Sequence, residues 1–518
     1  MDPILYWNDV ALEANRVSHT NGKGEQTGPT LSSRALAIVH LAMYDAYAGI
    51  TKDPVGLPPY LPNLPVPDTS ALPNDDAVAA VAAAAVAAAA HATLDALFPS
   101  QQAYFDRKHL EAELSGTGLD TGYNFGHLVA QCILEDRKDD PDASDKGYAS
   151  SMARYAHRPD PDNPNQGYHA PFYGARSKGF AISQRHGLAA PVFPPAKYDA
   201  FVQEVREKGI APELMGTLPG GAARRTPHET LTGLYWGYDG SAGLGTPPRM
   251  YNQIIRKVAE KKGNTVAQNA RLFALVNVAM GDAGILAWDQ KYIHNFWRPV
   301  VGIREHDESM GPAGVVPPPG SVDFNSTCDP GWLPLGAPST NATATPTTTD
   351  YPCGHVLHAM AKNFTPPFPA YPSGHATFGA AAFQITRLFY DKNIGRKPDD
   401  LFDGQDFVSD ELNGINKDNN GTVRPKHVRK FPRGLWDMIV ENGESRVYLG
   451  VHWLFDAFVR KEEDNSLDLG SNIGGVPLGL KIAKDIFETG MKKSPVLPRN
   501  CDGTEMIEAA MAKPAKKK

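Results

Sequence analysis

The chain has 518 residues, 42% of them hydrophobic and 21% charged, with a net charge of −7. An acidic balance argues against a grip on nucleic acid, which needs a basic face, and the length allows a large core built from two or more bodies. Four cysteines, Cys132, Cys328, Cys353 and Cys501, give neither a disulfide framework nor a CxxC metal pattern.

The opening MDPILYWNDVALEANR places Asp2, Asp9 and Glu13 where a secretory signal needs an uninterrupted apolar segment. No classical signal is expected, which leaves a cytoplasmic home or non-classical secretion. Apolar residues then recur at three- and four-residue spacing over 34–47, 77–97, 122–134, 270–288, 376–389 and 435–448, which predicts helices there. The run over 77–90 is the nearest thing to a membrane span, but it is short and mostly alanine, so it reads as a core helix and no membrane partner is expected. Alternating strands are scarce, and the class is all-α.

RALAIVHLAMYDA (34–46) and RLFALVNVAMGDA (271–283) match at seven of thirteen positions without a gap, 237 residues apart. That is nearly half the chain, and it predicts an internally duplicated helical bundle. The expected division is an N-terminal half over 1–232, a C-terminal half over 233–495, and a basic, disordered tail over 496–518 ending in AKPAKKK. Residues 301–372 form a long irregular insertion rich in Pro, Thr and Gly, of the kind that serves as a lid or contact surface or is disordered. Cys328 and Cys353 bracket its Thr/Pro-rich part and are near enough in sequence to pair.

Three short blocks carry chemistry. KYIHNFWRP holds Lys291 and Arg298 seven residues apart, which on a continuous helix is two turns and one face. Trp297 beside Arg298 points to burial, where a cation needs an anionic partner. PAYPSGHATFG places Ser373, Gly374 and His375 at the mouth of a helix, whose unpaired N–H groups and partial positive charge suit an anion. Ser373 there is equally an ordinary N-cap. SRVYLGVHWLFDA holds Arg446, His452 and Asp456. His452 and Asp456 have the i,i+4 spacing at which a carboxylate accepts from Nδ1 and leaves Nε2 free. Arg446 and His452 cannot share a helical face, and a break near Gly450 is needed to turn both into one pocket.

Together the blocks KxxxxxxRP, PSGH and SRxxxxxHxxxD make up the signature of the vanadium haloperoxidase and acid phosphatase superfamily, and the chain resembles the fungal-type vanadium chloroperoxidases over most of its length. YWNDVALEANRVSHT, YHAPFYG, LYWGYDGS, TPPRMYNQII and GGVPLGLKIA extend the resemblance. It implies two four-helix bundles with vanadate in the second, and phosphate able to take the same place. By the same resemblance, Lys291, Arg298, Ser373, Gly374 and Arg446 hold the vanadate oxygens and His452 is the protein ligand to the metal. His375 is the acid–base group, Lys291 polarises the reacting oxygen, and Asp239 pairs with Arg446. The implied reaction is oxidation of chloride or bromide by hydrogen peroxide to hypohalous acid, followed by halogenation of a small organic acceptor. Phe368 agrees with chloride-oxidising members, since bromide-restricted algal members tend to carry His there. Tyr292, Ile293, His294 and Asn295 depart from the more acidic and aromatic fungal pattern, and the loop after Arg298 is longer. The alternatives are a soluble acid phosphatase using the same oxyanion site, with His452 as nucleophile, and a non-catalytic helical scaffold.

Overall fold

The computed structural model describes residues 1–52, 58–320, 323–339, 363–391, 398–418 and 421–499. The first half contributes helices α1 (Pro3–Ser18), α2 (Gly28–Thr51), α3 (Asp75–Leu97), α4 (Gln102–Glu111), α5 (Leu119–Asp136), α6 (Tyr173–Arg176) and α7 (Pro195–Lys208). Next come α8 (Pro227–Tyr235), α9 (Pro247–Lys262), α10 (Val266–His294), α11 (Pro299–Arg304), α12 (Gly374–Tyr390), α13 (Gly434–Tyr448), α14 (Leu454–Ala457) and α15 (Gly475–Thr489). Every expected helix lies inside one of these. The strand content is small, with a two-stranded antiparallel ribbon pairing Asp406–Val408 with Val428–Lys430. The division expected at residue 232 falls inside α8, which packs on α13. Residues 500–518, most of the expected tail, and Cys353 lie outside the described residues, while Cys328 is a buried free thiol.

Helix starts follow local chemistry. The Asp2 carboxylate accepts from the N–H groups of Ile4 and Leu5, Asn74 caps Ala77, and Thr265 and Gln268 close a reciprocal capping box on α10. Helices α3 and α10 are long and apolar enough to cross a bilayer, yet 94% of the most apolar window of α10 is buried inside the protein. Packed against α2, it forms the spine between the halves.

The duplication is visible in the packing. Asp45 and Asp282 occupy the same place in the repeated segments. Asp45 accepts from the N–H groups of Tyr60 and Leu61, and Asp282 from those of Phe180, Ala181 and Ile182. His40 and Asn277, also equivalent, each bond the carbonyl four residues back. Where the halves meet, they join a buried polar network through Asn8 of α1 and Asn252 of α9. Close helix pairs repeat as well. A Cβ on Gly122 or Gly126 of α5 would lie 2.3 Å from Val81 O or 2.2 Å from Ala85 O of α3. On Gly475 or Gly479 of α15 it would lie 2.5 Å from Ser373 O or 2.4 Å from Thr377 O, at the start of α12. Val81 thus stands in the first half where Ser373 stands in the second, so the polar site belongs to one bundle only.

Gly126→Ala and Gly479→Ala force a methyl into backbone oxygen and should each cost at least about 1–3 kcal/mol. Thermal unfolding checks this against Gly220→Ala, where the added Cβ meets nothing within 4 Å and the midpoint should barely move.

Candidate active site

Lys291 and Arg298 come together by a route different from the expected one. Helix α10 ends at His294 because Asn295 turns into the left-handed region at φ 46°, and Arg298 is the residue before α11. The two cations therefore do not share a helical face. The connecting segment is fixed by backbone bonds from Ala370 N to Phe296 O and from Trp297 N to Tyr155 O, each 2.8 Å. Lys291 Nζ is fully buried and donates to the carbonyls of Pro369, Ala370 and Pro372 at 2.8, 3.2 and 2.5 Å. Burial and the neighbouring Arg298 push its pKa well below the usual lysine value, while Asp456 pulls it back. Three carbonyl acceptors need three N–H donors, so this geometry is that of the ammonium. Lys291 Nζ and the Arg298 guanidinium carbon lie 5.0 and 4.9 Å from the centre of the Phe368 ring, a double cation–π contact.

The two arginines differ in how they are held. Arg298 donates from Nε to Phe368 O at 2.9 Å and from Nη1 to Val451 O at 2.7 Å and His452 Nε2 at 3.0 Å. Burial lowers its pKa to about 9. Arg446, in the last turn of α13, puts Nη2 on both oxygens of Asp239 at 2.8 and 3.0 Å. Arg298 Nη2, Arg446 Nε and Arg446 Nη1 are buried and have no hydrogen-bond partner among the described residues. An unsatisfied buried donor costs about 1–3 kcal/mol, more when charged.

His452 meets Asp456 at 2.8 Å through Nδ1, but not as two residues on one helix. Helix α13 closes at Tyr448, and the break falls at Gly450, φ 70°, where it was expected. A Cβ on Gly450 would stand 2.5 Å from Gly209 O, so glycine is required for space as well as for φ. His452 precedes α14, and Asp456 Oδ2 also accepts from Trp453 N at 2.9 Å. The contact is a capping contact, and it leaves the proton on Nδ1 and the lone pair on Nε2. Burial raises the Asp456 pKa to about 7, against the pull of Lys291, the Trp453 N–H and Arg298.

Ser373 is the N-cap of α12, its Oγ accepting from Ala376 N at a long 3.4 Å, so the capping reading holds and the hydroxyl proton stays available. His375 follows at the second helical position. Its Nε2 lies 2.7 Å from Gly237 O and 3.8 Å from Asp239 Oδ1. A carbonyl only accepts, so Nε2 carries the proton and Nδ1 is the basic nitrogen. Burial, then the Arg446 charge, lower its pKa to about 4. Tyr251 Oη and Asn442 Nδ2 hold the His375 carbonyl at 3.2 and 2.8 Å. Neither was singled out in the sequence, where a Tyr and an Asn inside separate helices carry no spacing signal.

Some of these side chains face a cavity of about 140 Å³. Asp239, His375, Arg446 and His452 form its polar wall, while Trp288, Phe364, Phe368 and Phe378 supply the apolar wall. Gly28 and Pro29 from the start of α2, Thr246 and Pro247 at the start of α9, and Gly374 at the start of α12 bring three helix N-termini to its lining. That arrangement favours negative charge. Lys291, Arg298 and Ser373 are not among the lining residues, although Arg298 touches His452, which is. Unpartnered guanidinium N–H groups and helix N-termini together fit an oxyanion, and His452 Nε2, whose lone pair here accepts from Arg298 Nη1, would bond the central atom of that anion on giving up this contact.

The family model for the vanadium chloroperoxidase N-terminal domain matches residues 1–179, and that for the VCPO second helical-bundle domain matches 271–480. The vanadium chloroperoxidase of Curvularia inaequalis is 36% identical over 594 aligned positions, spanning 95% of this chain and 90% of that protein. Among solved structures, a bacterial vanadium-dependent iodoperoxidase superposes with a TM-score of 0.53 at 17% identity, covering 95% of this chain and 97% of its own. The holo form of a bacterial vanadium-dependent chloroperoxidase gives 0.57 at 16% identity, covering 90% and 93%. At such identities the superpositions speak to the fold.

Arg298→Ala and Arg446→Ala should each weaken orthophosphate binding by about 2–5 kcal/mol, the range for truncating one partner of a buried charge pair. Arg446→Ala should lose more, because it also leaves the Asp239 carboxylate unpaired in the cavity. Calorimetric titration checks both, and unchanged affinity would place the anion elsewhere.

Proposed function

The chain belongs to the vanadium chloroperoxidase family and is a vanadium-dependent haloperoxidase, and we propose that its vanadate is held by Arg298, Arg446, Ser373 and the Gly374 N–H, with His452 Nε2 as the protein ligand. The observation that carries this reading is the set of three buried guanidinium nitrogens, unpartnered among the described residues, on Arg298, which touches His452, and on Arg446, which lines the same cavity. When bound, vanadate supplies a Lewis acid that activates hydrogen peroxide toward halide without changing its own oxidation state. Halide gives two electrons to peroxide, one oxygen leaves in hypohalous acid, and the other leaves as water after taking up protons.

The residues of this chain divide that work. Arg298 and Arg446 neutralise the anion and fix its orientation. Asp456 holds His452 in the tautomer that presents Nε2, and Asp239 pairs with Arg446 and so tunes the net charge around the bound anion. His375 is neutral above its pKa of about 4 in the free protein. An adjacent multiply charged anion raises that value, so Nδ1 takes up and returns the proton that the oxygen transfer requires. Lys291 acts by holding the 369–372 segment and by its charge behind Phe368. A direct contact from Nζ to a reacting oxygen requires it to leave one of its three carbonyls.

The small cavity supports a reaction confined to peroxide and halide. Drug-sized ligands need roughly 300–1,000 Å³, so the organic acceptor meets hypohalous acid outside. Phe368, with both cations over its ring, supports chloride as a substrate, with bromide oxidised as well. The same donors suit phosphate, which makes phosphoester hydrolysis the competing reaction.

The test is to strip the protein of oxyanion, reload it with orthovanadate or with orthophosphate, and assay halide-dependent halogenation beside phosphoester hydrolysis. Peroxide- and vanadate-dependent halogenation is expected, with Phe368→His losing chloride oxidation more than bromide oxidation. Phosphoester turnover by the stripped protein, without halogenation by the vanadate form, would reverse the assignment.

A further inference from the structure

A second cluster of ligand-type side chains lies in the first half, away from the oxyanion cavity. His91 and Asp95 sit one turn apart on α3, Asp106 and His109 one turn apart on α4, and His127 on α5. Within it, His91 Nε2 is 2.8 Å from Asp106 Oδ1 and His91 Nδ1 is 3.5 Å from Asp95 Oδ2. One ligand atom from each of His91, Asp95 and Asp106 can be chosen so that all lie within 4.8 Å of one another. His91, Asp106, His109 and His127 line one open cavity of about 290 Å³. The rings of His91 and His109 are 5.3 Å apart.

Two observations separate this cluster from an ordinary surface ion pair. Among the described residues, Asp95 Oδ1 and His109 Nδ1 are both buried without a hydrogen-bond partner, and the carboxylate oxygen is an acceptor with no proton to fill it. The charges also lack balance, since two carboxylates stand against imidazoles. A divalent cation satisfies both deficits at once. Imidazole with carboxylate suits zinc and its neighbours in the first transition row, and an open face leaves room for water.

We propose that His91, Asp95 and Asp106, completed by His109 or His127, form a binding site for a divalent transition-metal ion such as Zn²⁺, clamping α3 to α4, and to α5 as well where His127 is the fourth ligand. The site is independent of the oxyanion chemistry of the second half.

The test uses the full chain, loaded with vanadate so that the oxyanion cavity is filled, and titrated with Co²⁺ and Zn²⁺. One equivalent of Co²⁺ should bind with a visible spectrum of nitrogen and oxygen ligation. Zn²⁺ should displace it and raise the thermal midpoint. His91→Ala and Asp106→Asn should each weaken binding by more than the about 10- to 100-fold lost with an outer-shell partner alone and abolish the thermal shift, with halogenation by the metal-free variants unchanged. Absence of stoichiometric binding overturns the proposal. So does binding of unchanged affinity in both variants, which would move the ion to other histidines.

Discussion

Arg298 Nη2 and Arg446 Nε and Nη1 are buried donors with nothing to bond, and the second bundle is organised around keeping them so. A guanidinium out of water is tolerated when some of its N–H groups are paired and the rest await an anion. Asp239 takes one edge of Arg446, while Phe368 O, Val451 O and His452 Nε2 take most of Arg298. The acceptors are fixed in turn. Glu411 accepts from Tyr238 N beside Asp239, Ser373 N donates to Asp456 O, and Lys291 ties down three carbonyls of the segment that carries Phe368. The cost of these open donors is carried by a rigid helical body, which is why the site sits where the glycines of α15 press against the start of α12.

The duplicated architecture explains how one half is released from this duty. The same glycine spacing presses α5 onto α3, but the position matching Ser373 holds Val81, and the surroundings are apolar. The first half instead contributes structure to the site, with Gly28 and Pro29 of α2 on the cavity wall. Buried carboxylates at matching positions hold loops, Asp45 the one that follows α2 and Asp282 the segment at 180–182 that follows α6. The polar contacts among Asn8, His40, Asn252 and Asn277 join the halves.

Much of this is legible in sequence because it is local. Helical periodicity over 270–288 and 376–389 is strong, and the break at Gly450 follows from asking Arg446 and His452 to face one pocket. The geometry between Lys291 and Arg298 is not legible, because Asn295 ends the helix by turning left-handed in a stretch whose period continues. The His452–Asp456 contact keeps its i,i+4 spacing while changing its nature, since Asp456 caps a short helix that His452 precedes. Nor does the sequence reveal that Lys291 is occupied by carbonyls, or that Trp288, Tyr251 and Asn442 support the site. Those contacts join segments from about 80 to almost 200 residues apart, and nothing in the spacing of any single segment encodes them.

We propose that the two buried histidines have different duties fixed by different partners, a carboxylate for His452 and a carbonyl for His375. X-ray absorption at the vanadium edge, measured on vanadate-loaded His452→Ala and His375→Ala, separates them. The nitrogen shell should vanish in His452→Ala and persist in His375→Ala. A nitrogen shell retained without His452, or lost without His375, would exchange or remove the two roles.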